Sequence, residues 1–129
     1  MHLTIGVTGH RDLLAEEVPA LKKLVRDFFL QLRSDYPGLD LQLITPLAEG
    51  SDRLVTDVAL ELGIDLIVPL PMPQEDYEKD FSSPAAVEAF RDSLKKARVI
   101  YLRSFPVDSD RPITEADRDR QYAQLGIFI

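Results

Sequence analysis

The sequence predicts an α/β fold with a mainly parallel sheet of at least four strands. Three observations predict it. Short runs of aliphatic and β-branched residues alternate four times with helical patterns along the 129 residues. The run at 65–70 is continuously apolar from Leu66, as expected of a parallel strand covered on both faces. Glycine and proline signals at Pro37-Gly38, Pro46, Gly63 and 69–73 separate the segments.

Each element has its own justification. Residues 3–7 form a short apolar run that ends in Thr8-Gly9, the pattern of a buried strand. From about 16 to 35, Val18, Leu21, Val25, Phe28 and Leu32 recur at steps of three or four, which draws one face of an amphipathic helix. Pro19 is tolerable there because it falls in the first turn. Residues 41–45 form the second strand. A helix over 51–62 carries Leu54, Val58 and Leu62 and stops at Gly63. After the strand at 65–70 come a proline-rich turn and a polar stretch holding Tyr77 and Phe81. A helix over 84–97, a fourth strand over 99–102, an exposed loop over 103–113 and a last helix over 114–126, capped by Thr114, complete the chain. The apolar end "GIFI" suggests a single domain, 1–129, that lacks a C-terminal strand and helix of its fold.

Composition narrows the function classes. The net charge of -7, from 22 acidic against 15 basic residues, disfavours broad contact with nucleic acid or an anionic membrane, while leaving room for a local site for one small anion. No apolar run is long enough to span a bilayer, and no signal peptide is visible. The absence of cysteine excludes disulfides and thiolate metal sites and fits the cytoplasm; with two histidines, no metal site is expected.

In open α/β sheets ligands bind beyond the carboxyl ends of the strands, which selects two turns. The first reads GVTGHRDL. Its His-Arg-Asp-Leu resembles a kinase catalytic loop, but that pattern needs an asparagine where Glu17 stands, and nothing upstream supplies the other kinase parts. Gly6 and Gly9 instead let the backbone approach a ligand, with Thr8, His10 and Arg11 as further donors and Arg11 able to grip a phosphate through two parallel bonds. The plain alternative is a tight turn with solvated side chains. The second turn reads LAEGSDR: Gly50 permits a sharp bend, Ser51 or Asp52 can cap the next helix, and Glu49 can accept from ribose hydroxyls or act as a general base. For Asp52 the capping role is preferred. With a strand order of 3-2-1-4 the two turns would share one crevice. Tyr77, Asp80 and Phe81 could wall that crevice, and Arg118 and Gln121 could fold back onto it. The sequence contains no Ser-His-Asp set.

The segments IGVTGHRDL, PLAEGSDRLVTDVALELG, LIVPLPMPQEDYEKDF and RDRQYAQLG together resemble the SLOG superfamily. That group joins the DNA-processing protein DprA/Smf, the "Lonely guy" phosphoribohydrolases and many nucleotide-sensing domains. The resemblance implies a Rossmann-like three-layer sandwich and a nucleotide or nucleotide-derived ligand held between the two turns. Gly6, Thr8, Gly9, His10 and Arg11 would make the first contact, and Glu49, Gly50, Ser51 and Asp52 the second. No cofactor is implied. The PGGxGTxxE segment of the phosphoribohydrolases has no counterpart here, and the acidic charge argues against the DNA-binding branch. The expectation is a sensor or regulatory domain, working as a homodimer or with a fused effector. The alternatives are a nucleotide-cleaving enzyme with Glu49 as base, or a protein-interaction module whose pocket is vestigial.

Overall fold

The computed structural model describes residues 1–101 and 114–129. Strands β1 (His2–Gly6), β2 (Asp40–Ile44), β3 (Asp65–Leu70) and β4 (Ala97–Tyr101) are all parallel and pair in the order β1-β2-β3-β4. The register sets Leu3 beside Leu41, Leu43 beside Leu66 and Val68 beside Val99, so the pleat gathers the apolar alternates on one face.

Helices α1 (Val18–Asp35), α2 (Ser51–Glu61), α3 (Gln74–Glu78) and α4 (Pro84–Leu94) occupy the connections between strands. Right-handed crossovers between sequential parallel strands place such helices on one face. Phe29, Val58, Ala59 and Phe90 from α1, α2 and α4 accordingly share one buried core with Leu41, Leu43, Leu66, Val68 and Leu70. On the other face α5 (Glu115–Phe128) supplies the third layer, and its C-cap residue Ile129 lies over Gly6. The result is a Rossmann-like α/β sandwich. Among the described residues no helix is long and apolar enough to cross a membrane.

Core packing rather than surface charge holds the helices. Burying a side chain such as Phe29 is worth about 1.5–3 kcal/mol, whereas exposed pairs such as Lys22 with Asp57, or Arg26 with Glu61, contribute about 0–1 kcal/mol each.

Several expectations need correction. The strand order contains no reversal and is not 3-2-1-4, yet β1 and β2 are neighbours all the same. The buried face of α1 runs through Phe29, while Phe28 is 53% exposed. A short helix, α3, lies in the stretch read as merely polar. The cap of α2 is Gly50, with no side-chain cap from Ser51 or Asp52. The first helix is preceded by a 3-10 turn, Ala15–Glu17, and α4 ends at Leu94. Thr114 does cap α5, through a reciprocal pair of bonds with Asp117. The expected loop at 103–113 and the expected strand end at 102 lie outside the described residues.

Candidate functional site

The loops at the carboxyl ends of β1, β2 and β3 meet beside α5 around a cleft of about 390 Å³ lined by Arg11, Ala48, Tyr77, Asp80 and Tyr122. A larger groove of about 750 Å³ runs between α3 and α4 past Glu78, Phe81, Ser82 and Arg91. It lies to one side of the strand ends and away from the first turn, so the smaller cleft is the candidate site.

The two turns singled out in the sequence touch. The N–H of Ser51 donates to the His10 carbonyl at 3.0 Å, and the Ser51 hydroxyl donates to the same oxygen at 3.1 Å. The first turn thereby satisfies one of the orphan N–H groups at the start of α2. Close approach explains both glycines. A Cβ on Gly9 would sit 2.5 Å from the Ser51 side chain, and one on Gly50, whose φ is 88°, would strike the carbonyls of His10 and Arg11. Gly6 ends β1, and the side chains of Thr8, His10 and Arg11 are exposed. The Arg11 guanidinium stands at the cleft and reaches the Asp80 carbonyl at 3.5 Å.

The acidic residues of the second turn are spoken for. Asp52 is buried and points under its own loop, where it accepts from the Ala48 N–H at 3.2 Å and from Thr45. Burial pushes its carboxyl up against the bonds from Thr45 and Ala48 and the pull of Arg53. Glu49 turns to Ser82, accepting its N–H and its hydroxyl at 2.6 Å each. Burial would raise the Glu49 carboxyl, but the two Ser82 bonds, with Arg53 and Arg11 nearby, outweigh it and hold the group below its ordinary value.

Backbone strain marks the same loop. Leu47 is fully buried with φ at 59°, a left-handed conformation costing about 1–3 kcal/mol for a residue other than glycine. Its N–H donates to the Thr45 hydroxyl, and its carbonyl accepts from Arg53 Nε, each at 3.2 Å. Arg53 also donates to the Ala86 carbonyl at 2.7 Å and stacks on Phe81, and burial lowers its pKa despite Glu49 close by. Arg53 thus braces the loop from behind the cleft.

The far wall is built from Tyr77, Asp80 and α5. The Tyr77 hydroxyl donates to the Pro46 carbonyl at 3.0 Å, and burial drives its pKa far up, so it remains a donor. Arg118 does fold back, donating to the Asp80 carboxylate at 2.8 Å and to the Asp76 carbonyl at 3.1 Å. Tyr122, raised by burial and by its bond to Asp80, donates its hydroxyl to the same carboxylate oxygen. Gln121 is buried instead, and its Oε1 has no partner among the described residues.

Tyr77 and Asp80 thus line the crevice as expected, whereas Phe81 belongs to the adjoining groove. Sequence reasoning missed Tyr122, Ser82 and Arg53. Tyr122 had a usable signal, since it lies four residues after Arg118 and therefore on the same helical face. Ser82 had none. Among the described residues no cluster of three His, Cys, Asp or Glu side chains could hold a metal. No known family model matches the chain, and no curated protein matches it significantly.

Proposed function

We propose that the chain is a sensor or regulatory domain that binds a nucleotide or nucleotide derivative at the cleft beyond its strand ends. The observation that carries this reading is the placement of Arg11. Its guanidinium borders the cleft, and among the described residues its one side-chain hydrogen bond is a 3.5 Å contact and it makes no ion pair. A loosely engaged guanidinium can turn both nitrogens to a phosphate at little cost. Tyr122 and Tyr77 line the same cleft and give it aromatic surface beside Arg11. A cysteine-free chain fits work in the cytoplasm, with the signal passed to a second copy or to a fused effector.

A binding role is favoured over cleavage because Glu49, the residue able to act as base, has both carboxylate oxygens engaged by Ser82 and its proton affinity lowered. Thermal unfolding against nucleoside mono-, di- and triphosphates, cyclic nucleotides and ADP-ribose tests the proposal. A true ligand at a hundred times its Kd adds about 2.7 kcal/mol of stability. Arg11→Ala abolishes that gain while leaving the ligand-free melting temperature unchanged, since the side chain is exposed. If no member of the panel raises the melting temperature, the reading fails.

A further inference from the structure

We infer that the Asp80 carboxylate is an internal stand-in for the ligand's phosphate, occupying two donors, Arg118 and Tyr122, that a bound phosphate takes over. The inference rests on the nucleotide-binding reading and adds to it two contact residues on α5 and an internal competitor.

One oxygen of Asp80 accepts both the Arg118 Nη1 bond, at 2.8 Å, and the Tyr122 hydroxyl. The Asp80 main-chain carbonyl takes the Arg11 contact. Two cations and a hydroxyl, from the β1 turn and from α5, therefore converge on one acidic residue in the cleft wall. The donor set of two guanidinium groups and a phenol is chemically suited to phosphate. The Arg118 and Asp80 side chains are only 19% and 27% exposed, so solvent screens the pair weakly.

Asp80 and Tyr122 both line the cleft, so the carboxylate oxygen that Arg118 and Tyr122 share belongs to a residue of the cleft wall. The helix has other anchors as well. Arg118 donates to the Asp76 carbonyl and contacts the Met72 sulfur, Leu125 is buried, and Ile129 lies over Gly6. Displacing Asp80 therefore leaves both donors in place. A phosphate seated on Arg11 inside so small a cleft brings like charge against the Asp80 carboxylate, which opposes binding until the carboxylate swings out. Once it does, Arg118 and Tyr122 turn to the phosphate, and occupancy of the cleft is transmitted to α5.

Calorimetric titration with AMP of the intact chain, Asp80→Asn and Tyr122→Phe tests this. Removing the competitor tightens AMP binding by about tenfold in Asp80→Asn, and losing a donor weakens it several-fold in Tyr122→Phe. A purely structural Asp80 predicts equal or weaker binding in Asp80→Asn, and that result overturns the inference. Absence of AMP binding in all three chains overturns it too, while a thermal response to other nucleotides would leave the broader reading standing. Should Asp80→Asn not fold, unchanged AMP affinity in Tyr122→Phe is the overturning result.

Discussion

Two glycines in the left-handed region carry different loads, because a Cβ at Gly50 would run into the carbonyls of His10 and Arg11, whereas one at Gly63, φ 69°, meets open space. Gly63→Ala therefore costs only the conformational strain, about 1–2 kcal/mol. Gly50→Ala adds a collision with backbone from a second loop and costs more than about 3 kcal/mol. Urea denaturation of the two variants distinguishes these cases, and equal losses would mean that the first turn yields freely to the second. The bend at Gly50 was legible because glycine before a helical pattern signals a turn. Its contact with His10 was not, since the two loops lie about forty positions apart and no local pattern reports the meeting. Asp52 shows the same limit. A carboxylate near a helix start suits a cap, and only the burial of Thr45 and the loop around Ala48 turns it inward.

At the level of elements, periodicity found the main helices and strands and failed where two phases fit equally well. In α1 the steps 25, 28, 32 and 25, 29, 32 are both helical, and both candidates are phenylalanine. Core packing decides: Phe29 shares the face on which Val25 and Leu32 meet the core and Phe28 stays outside, while Arg26 and Arg33 follow on the α2 side, engaging Glu61 and the Leu62 carbonyl. Phe29→Ala should thus cost about 3–5 kcal/mol and Phe28→Ala less than about 1 kcal/mol. Chemical denaturation of both reads the rotation of the helix directly; a larger loss at Phe28 would reverse the assignment. The α3 helix escaped notice for another reason. With five residues it is too short to show a period, and Pro73 and the buried Tyr77 set it by packing rather than by pattern.

Across the whole molecule, strand order was beyond reach of the sequence, because alternation shows that crossovers exist and says nothing of where each strand inserts. The observed sequential order contains no reversal, so the cleft owes its form to bonds between loops. Ser51 joins the β1 turn to α2, Tyr77 joins α3 to the β2 turn, and Glu49 joins the β2 turn to Ser82 beyond α3. The last of these links depends on a charged carboxylate. Because the folded-state pKa of Glu49 is lowered, its contribution is present above the ordinary value of 4.5 and is lost as pH falls through the folded value. Asp52, raised by burial, runs the opposite way: its contribution falls as pH rises through its folded pKa, so acid relieves that penalty and the intact chain's profile mixes both. Comparison with Glu49→Gln isolates the clamp. The variant should be less stable than the intact chain by about 1 kcal/mol at neutral pH, a modest figure because the link is partly open to solvent. That gap should close as pH is lowered from neutral past 4.5 and through the lowered folded value. Urea midpoints for both chains across that range measure it, and a gap that persists in acid would show that the side chain contributes shape rather than charge.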